Sequence, residues 1–593
     1  MKTVNNIFKH TFFCLALGTT VCSCDLDVEP TSSIATETFW TSEKDAWYNL
    51  NAVYSASIPG AAVHSDSYTN DAYCQYSWES NGAIYQQNGL SALYDEGYNF
   101  ETVRKQNIFL QEIENVPMDE DLKTRFKAEV RAMRAWTYLN LTTTFGKVPL
   151  ITDVLSYDAP NIPRDETSKI REFILNELTE AAAILPEKYA GSYPNEKGRM
   201  TKYAALAVKA RAALYFGDYP TAEAAAKEIM DKGGFSLFQV SELTEAQKKE
   251  AEEMELYIDF DKYGIDRDKF MKGMFSYESL WHTENGNPDN PEYVMTRQYT
   301  ASSWDYQDMT RYTSIRPNQL GGWSSVTPTQ NLVDAYWTVD GKTPSIPSIE
   351  KRMNAYKVIK GDLDEYKAPA GEAKFISFAS GLINSGKLKD YEYMQEFRNR
   401  DSRLYASILF PFKGWYETNY GTNFIYEWIK NGNNESKTGF NFRKMSPLEN
   451  DANNDGQATG DYPCIRYAEV LLIFAEAHTQ TTGFDGQTQA ALNQLRDRCG
   501  MPNVPTSLGK EDGLALIKNE RRIELAGEGL RSDDLSHYGD AYWSAQMNNV
   551  PISTPDGEKV ITMKWDSRMS LRPIPQTAID LNPLLATDQN PGY

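Results

Sequence analysis

Histidine is scarce in this sequence, with five residues among 593, and none of them stands in an HExxH motif. That motif places two zinc ligands and a glutamate base on one helix, so zinc-dependent hydrolysis lacks its ligands here. The sequence also contains no GxSxG segment, the turn that exposes a serine nucleophile in many hydrolases. Neither kind of hydrolase site is therefore predicted, although the abundant carboxylates leave a glycosidase pair open.

Cysteines and long apolar runs are also few. Beyond residue 24 the cysteines are Cys74, Cys464 and Cys499, and no two of them form a CxxC pair. Three thiols cannot all pair with one another, so the sequence predicts neither a disulfide framework nor a structural zinc site. The apolar run at residues 11–21 is too short to span a bilayer, and no later run reaches transmembrane length.

Basic residues are too few to balance the acidic ones. The 60 Lys and Arg residues stand against 82 Asp and Glu residues, which gives a formal net charge of −22. Nucleic acids are bound through Lys and Arg that displace counterions from phosphates, and a negative field repels those phosphates. We therefore expect no nucleic acid partner. Hydrophobic residues make up 41% of the chain, which is ordinary globular usage and predicts a folded protein.

The N-terminus has the parts of an export signal. Lys2 and Lys9 precede the apolar run, and residues 21–24 (VCSC) follow it. This last segment resembles a bacterial lipobox, in which a small residue precedes the cysteine that receives diacylglycerol. We predict a signal peptide at residues 1–23 and lipid on Cys24, with Cys22 as the alternative acceptor. The acidic residues that follow resemble the surface-export signal of Bacteroidetes lipoproteins, which implies exposure outside the outer membrane.

Helical periodicity dominates much of the chain, and two pairs of helices look alike. Residues 201–216 and 220–231 form one helix–turn–helix, and residues 465–479 and 488–499 form a second. Small Ala residues in the first pair allow close approach, which resembles a tetratricopeptide unit. We predict a mainly α fold, in which a helical scaffold with tetratricopeptide-like pairs carries long irregular loops and a few short strands. The acidic residues 242–261 are interpreted as a solvated helix or insertion.

Two segments resemble ligand-binding loops without completing the motif. Residues 381–388 (GLINSGKL) approach a P-loop, but Leu388 stands where the magnesium-binding Ser or Thr belongs. Residues 451–456 (DANNDG) match the first half of an EF-hand loop, but Tyr462 occupies the position of the bidentate Glu. The first match is interpreted as chance. The second is explained equally well by a polar surface turn, so calcium stays an open alternative.

Aromatic residues make up 12% of the chain and gather in three loop-like stretches, at residues 68–98, 281–323 and 415–428. A flat ring beside an amide or a carboxylate suits a pyranose, which has apolar C–H faces and an edge of hydroxyls. Most rings of this kind pack loops onto a scaffold, so we assign a ligand role to only a few. The predicted ligand-binding residues are Trp78, Trp304, Tyr306, Tyr76, Trp281 and Trp323.

The strings RYAEVLL at 466–472 and NERRIELAGEGLR at 519–531 stand out in the C-terminal half. With several others along the chain, they resemble the SusD/RagB family of outer-membrane nutrient-binding lipoproteins. The resemblance covers nearly the whole mature chain and is closest in the C-terminal half. These strings belong to the scaffold, and we predict that the pairs Glu520/Arg522 and Glu524/Arg531 tie helices together. The matching strings are FW at 39–40, EVRA at 129–132, FGKVPL at 145–150, GRMTK at 198–202, RYAEVLL at 466–472, NERRIELAGEGLR at 519–531, RPIPQ at 572–576 and QNPGY at 589–593.

The resemblance implies two SusD-like regions, residues 24–240 with the tetratricopeptide-like units and residues 270–593 with ligand-binding loops. It also implies a SusC-like TonB-dependent transporter as partner. We predict a lipid-anchored protein of the cell outer membrane that captures a glycan and delivers it to that transporter without catalysis. With this resemblance we expect that the protein is not an enzyme, that it has no catalytic residues and that, calcium aside, it uses no metal or other cofactor. The binding residues rest on aromatic chemistry alone, because the loops are the part least like the family. A surface glycoside hydrolase and an oligopeptide-binding receptor of the same fold stay open as alternatives.

Overall fold

The computed structural model describes residues 40–60, 62–156, 158–189, 196–282, 285–299, 322–370, 385–415, 424–446 and 460–593. The predicted signal peptide, the acceptor Cys24 and the EF-hand-like segment 451–456 lie outside the described residues. Residues 381–384 of the P-loop-like segment lie outside them as well. Over the described ranges the fold is mainly α-helical, which confirms the predicted fold class.

The helices are described in three groups along the chain. The first group is α1 (Glu43–Ser57), α2 (Gly82–Gln86), α3 (Glu101–Glu112), α4 (Glu120–Phe145), α5 (Thr167–Ile184), α6 (Lys202–Phe216) and α7 (Tyr219–Lys232). The second is α8 (Glu245–Met254), α9 (Phe260–Tyr263), α10 (Arg267–Ser279), α11 (Gln330–Ala335), α12 (Ile349–Ala370), α13 (Glu392–Gln395) and α14 (Ser402–Ser407). The third is α15 (Tyr467–Thr481), α16 (Gly486–Arg498), α17 (Lys510–Glu524), α18 (Arg531–Tyr538), α19 (Asp540–Met547) and α20 (Gln576–Leu581).

The strands are short and form two-stranded antiparallel ribbons. They are β1 (Ala72–Cys74), β2 (Tyr293–Arg297), β3 (Val326–Pro328), β4 (Ile408–Leu409), β5 (Gly414–Trp415), β6 (Phe424–Ile425), β7 (Asn441–Phe442), β8 (Tyr462–Arg466), β9 (Pro551–Ser553) and β10 (Lys559–Thr562). Strand β1 pairs with β3, β2 with β8, β4 with β7, β5 with β6, and β9 with β10. Ribbons of this size are not stable alone, so packing against the helices holds them in place.

The first predicted helix pair is α6 followed by α7. Thr201 caps α6 because its hydroxyl accepts a hydrogen bond from the N–H of Ala204 at 3.1 Å. Asp218 caps α7 in the same way, with the N–H of Thr221 at 3.2 Å from its carboxylate. Between the two helices Gly217 has φ +76°, a left-handed conformation that glycine adopts without a Cβ penalty. The tight turn predicted at this point is confirmed.

The two helix pairs are far apart in sequence but adjacent in space. Helix α7 packs against α15, which in turn packs against α16, so α4, α5, α6, α7, α15 and α16 form one row of neighbouring helices. Arg211 of α6 donates to both carboxylate oxygens of Glu469 in α15, at 2.7 and 2.6 Å. The chain between α7 and α15 is therefore a long insertion into a continuous helical row.

One large apolar core runs along this row and unites both ends of the chain. It contains Leu50, Trp136 and Leu206 from the N-terminal half together with Leu472 and Ile574 from the C-terminal half. A fully buried side chain of this size stabilises the fold by roughly 1.5–3 kcal/mol relative to an exposed one. A second apolar core consists mostly of residues of the insertion between α7 and α15. No helix in the described ranges has the length and apolarity needed to cross a membrane.

The interpretation of residues 242–261 as a solvated segment is wrong for helix α8. Glu250 lies on a buried face of α8 and is itself fully buried. Its carboxylate accepts hydrogen bonds from Lys413 Nζ at 2.6 Å and from Arg443 Nη2 at 2.6 Å. The charge pattern misled because these two cations lie far downstream in the sequence, where local periodicity does not reveal them.

The carboxylates of α17 tie helices together as predicted, but with different partners. Glu520 pairs with Arg403 at 2.7 Å and with Arg496 at 3.0 Å, and all three side chains are buried. Glu524 shares Arg403 at 3.0 Å and also pairs with other buried arginines. The predicted partner of Glu520, Arg522, lies against Asp71 instead. Sequence neighbours on one helix therefore point away from each other, and the partners come from distant segments.

Acid is expected to destabilise the fold through these buried carboxylates. Burial alone would raise the pKa of Glu520, but Arg403 and Arg496 lower it to about 2, and Arg443 and Lys413 lower that of Glu250 to about 2 as well. A carboxylate with a folded pKa below its ordinary 4.5 stabilises the protein above that pH and loses this contribution as the pH falls towards 2.

The measurement is urea unfolding at a series of pH values through this window. We expect the free energy of unfolding to fall steadily between about pH 4.5 and about pH 2, and Glu520→Gln to show a shallower fall. A free energy of unfolding that stays level through this window in the unsubstituted protein would contradict the prediction.

Candidate ligand-binding site

Strands β1 and β3 bring two sequence-remote aromatic loops together. Cys74 stands opposite Val326 in the antiparallel ladder. The contact continues past the strands, because Gln75 donates from its backbone N–H to the carbonyl oxygen of Ser325 at 2.9 Å. The side chain of Gln75 donates to the carbonyl oxygen of Ser324 at 2.7 Å. The residues that follow β1 therefore lie beside Trp323, which precedes β3.

Tyr76, Trp78 and Trp323 lie on neighbouring segments, and we call these three residues the aromatic platform. The rings of Tyr76 and Trp78 are stacked, with centroids 4.5 Å apart and an interplanar angle of 24°. Trp78 is 75% exposed and Trp323 is 45% exposed. Exposed aromatic surface of this kind is typical of sites that bind a ligand or partner. Three of the six predicted ligand-binding residues thus lie close together, and their role in binding stays a prediction.

Tyr76 is anchored at its outer end by an amide that the sequence analysis missed. Its hydroxyl donates to Oδ1 of Asn434 at 2.7 Å. Partial burial and the neighbouring charge of Glu79 raise the pKa of Tyr76, so the hydroxyl stays protonated and remains a donor. Asn434 has φ +51°, which asparagine tolerates in turns. The Asn-rich run at 431–434 (NGNN) indicated a turn, but no local signal placed it beside Tyr76.

Glu79 supports the platform from behind. Its Oε1 accepts a hydrogen bond from the hydroxyl of Ser325 at 3.0 Å, and its Oε2 is 3.2 Å from Nε2 of His64. The side chain of Glu79 is 7% exposed, so both contacts are shielded from solvent. Because Glu79 follows Trp78 directly and Ser325 is two residues after Trp323, one carboxylate holds both halves of the platform together.

Trp281 was predicted to bind ligand, and this prediction is wrong for the described conformation. Its side chain is 2% exposed and lies in the second apolar core. The ammonium of Lys444 is 5.0 Å from the ring centroid and the guanidinium of Arg466 is 5.9 Å from it, so the indole faces cations of the protein itself. Polar sequence neighbours suggested a loop, but the residue follows α10 into the interior.

The two remaining predicted residues, Trp304 and Tyr306, lie outside the described residues. The third aromatic stretch contained no predicted ligand contact. There Trp415, Tyr426 and Trp428 are buried in the second core, where they pack loops onto the scaffold. Tyr426 donates to Glu435 at 2.9 Å and Trp428 donates to the carbonyl of Ser436 at 2.8 Å. These three rings therefore have the packing role that most such rings have.

Within the described ranges no three His, Cys, Asp or Glu side chains are arranged to hold a metal ion. The calcium alternative concerned residues 451–456, which lie outside those ranges. The platform combines aromatic faces with an anchored amide and a shielded carboxylate, which suits reversible stacking against a flat ligand.

Comparison with protein families assigns both halves of the chain. A model of the SusD family matches residues 291–593. A second model, described as starch-binding associating with outer membrane, matches residues 26–214. The predicted resemblance to the SusD/RagB family is thereby confirmed.

Individual relatives are similar over most of their length. SusD-like protein P38 from Formosa agariphila is 24% identical over 557 residues, which cover 90% of this chain and 92% of the relative. A SusD-like protein from Bacteroides ovatus is 26% identical over 565 residues, which cover 90% of this chain and 84% of the relative.

Solved structures show the same fold. A SusD-like protein from Bacteroides fragilis superimposes with a TM-score of 0.71 at 25% identity, covering 94% of this chain and 99% of that one. A SusD-like carbohydrate-binding protein from the same species superimposes with a TM-score of 0.67 at 22% identity, covering 92% and 100%. Because the SusD family model alone matches just over half of the chain, the protein belongs to the SusD family.

Proposed function

We propose that the protein captures a glycan at the cell surface on the aromatic platform and delivers it, chemically unchanged, to a SusC-like TonB-dependent transporter. Lipid on Cys24 anchors it to the outer membrane in this proposal. The observation that carries the proposal is the exposed ring of Trp78, which is stacked on Tyr76 and lies on a segment next to the exposed Trp323. Asn434 fixes Tyr76.

The geometry of the platform suits a sugar ring. One face of the Trp78 ring is already stacked on Tyr76, which restricts the side chain. Trp78 therefore loses little conformational entropy when a sugar ring covers its other face. Aromatic stacking contributes about 0.5–1.5 kcal/mol per pair beyond the buried area, by analogy with aromatic pairs. The amide of Asn434 at the edge of the platform is placed to meet hydroxyls around a pyranose.

Two further observations support capture without bond cleavage at the outer membrane. The carboxylate nearest to the platform in sequence, Glu79, is engaged with Ser325 and His64 and is largely shielded from solvent. One of the two family models is described as starch-binding and as associating with the outer membrane. Tethering beside a transporter raises the effective concentration of the captured glycan, so weak binding is sufficient for delivery.

The test is a binding panel with the purified protein. Affinity gels and calorimetry would be run with α-glucans, β-glucans, xylan, mannan and pectin, and with a pool of oligopeptides. We expect binding to at least one glycan and no release of reducing ends from it. Release of reducing ends would support the hydrolase alternative, and binding of peptides alone would support the peptide receptor. Either result would overturn the proposal.

A further inference from the structure

A deep cleft lies between the helical row and the segment that follows α17. Its volume is about 440 Å³, within the usual range of small-molecule sites, roughly 300–1,000 Å³. Residues of α4, α6, β8 and the segment 528–533 line it, together with Glu79 and Arg572. Tyr76, Trp78 and Trp323 are not among the described residues that line it. It is a different space from the platform, and we call it the inner cleft.

Polar side chains in the inner cleft are held in place by the protein itself. The guanidinium of Arg572 lies 4.4 Å from the ring centroid of Tyr68 and 4.0 Å from that of Tyr85. Its Nε is 3.6 Å from Oε2 of Glu96, and Asn81 donates to Oε1 of the same carboxylate at 2.8 Å. Groups that are already fixed lose little entropy when a ligand binds, so this wall is preorganised.

Asp533, on α18, adds an acceptor to the lining of the cleft, near Thr143 of α4. Burial and the charge of Asp534 raise the pKa of Asp533 to about 6, and Arg211, Arg572 and the hydroxyl of Thr143 compensate only in part. A ligand hydroxyl that donates to this carboxylate would stabilise its charged form.

The arginines of the inner cleft are already paired within the protein, so they leave little positive charge for an acidic ligand. Arg211 donates to both oxygens of Glu469, at 2.7 and 2.6 Å, and Arg572 is held by Glu96 and two tyrosine rings. Carboxylates and hydroxyls make up much of the remaining lining, and Trp136 behind them is almost fully buried. This combination of acceptors and small donors suits an uncharged molecule that carries many hydroxyls.

We infer that the inner cleft is a second binding site, for a neutral mono- or disaccharide. The inference rests on the proposed function, because the ligand is a short piece of the kind of glycan that the platform binds. Glu79 stands between the two sites, with Oε1 towards Ser325 beside the platform and Oε2 towards His64 in the cleft. A sugar in the cleft would lie behind the loop that carries Trp78.

The test uses substitutions that close or alter the cleft without reaching the platform. Asn140 is an exposed residue of α4 that lines the cleft, so Asn140→Trp narrows the entrance without disturbing the core. Asp533→Asn removes the charged acceptor and keeps the side-chain shape. Calorimetric titrations would use glucose, galactose, mannose, xylose, maltose, cellobiose and lactose. Tyr48→Ala, a change at an exposed ring of α1, is the matched control, and thermal unfolding of each variant checks folding.

We expect at least one of these sugars to bind the unsubstituted protein. Asn140→Trp should weaken that binding at least tenfold, and Asp533→Asn about tenfold, the difference between a charge-assisted and a neutral hydrogen bond. Tyr48→Ala should leave it unchanged. Failure of every sugar to bind, or binding that Trp78→Ala abolishes while both cleft variants leave it intact, would overturn the inference.

The proposed function is judged separately, with the polysaccharides of the binding panel. If Trp78→Ala weakens polysaccharide binding while the cleft variants do not change the affinity for short sugars, the proposed function is supported and the cleft inference fails. If short sugars bind in the cleft while no polysaccharide is retained, the inference stands and the proposed function fails.

Discussion

Replacing Trp78 with alanine is expected to weaken glycan binding about thirtyfold, which corresponds to roughly 2 kcal/mol, the typical cost of truncating a central aromatic contact. The side chain is 75% exposed, and the ring contact that fixes it is the stack on Tyr76, so its removal should leave the fold nearly unchanged. Calorimetry with the glycan of the panel that binds most tightly measures the change in Kd. Urea unfolding of the variant separates loss of binding from loss of structure.

Tyr48→Ala is the matched control for this experiment. Tyr48 lies on α1 and is 54% exposed. Its replacement by alanine removes an exposed aromatic ring without changing the platform loops. We expect it to bind glycan as the unsubstituted protein does, and Trp78→Phe to keep most of the affinity because a smaller flat ring remains. Equal Kd values for Trp78→Ala and Tyr48→Ala would show that the exposed indole is not a ligand contact.

Glu524→Gln is expected to destabilise the protein by about 3–5 kcal/mol, the cost of removing one partner from a buried ion pair. Its carboxylate lies among Arg403 at 3.0 Å, Arg466 at 2.8 Å and Arg498 at 2.5 Å, and all four side chains are buried. The guanidinium groups hold the pKa of Glu524 well below its ordinary range despite burial. A neutral amide would leave three buried cations with less compensating charge.

Urea unfolding followed by circular dichroism measures this loss. Glu511→Gln is the matched control, because Glu511 is an exposed residue of the same helix, and surface changes usually stay within about 0.5 kcal/mol. Similar m values for the variants would show that the difference lies in stability rather than in compactness. A change for Glu524→Gln no larger than that for Glu511→Gln would contradict the role given to the buried network.

Local patterns in the sequence were sufficient to predict the helices of the scaffold. The cap residues Thr201 and Asp218 and the turn at Gly217 fix the ends of α6 and α7 through contacts within a few residues. Such contacts are visible in sequence because donor, acceptor and turn residue stand at set spacings. The same is true of the exposed aromatic stretch around Trp78, where polar neighbours indicated a loop.

Contacts between distant segments were not predictable in this way. Tyr76 and its anchor Asn434 are separated by 358 positions, and Glu250 and Lys413 by 163. The burial of Trp281 depends on Lys444 and Arg466, neither of which is near it in sequence. The motif strings on α17 indicated that its charged residues tie helices together. Neighbouring residues of a helix point in different directions, so their ion-pair partners could be identified only from the fold.

The most direct test of the account is a crystal structure of the protein with an oligosaccharide of the glycan that it binds best. We expect a pyranose ring in van der Waals contact with the exposed face of Trp78, with Trp323 and the amide of Asn434 beside the same oligosaccharide. An oligosaccharide bound elsewhere on the protein, with the indole of Trp78 still facing solvent, would contradict it.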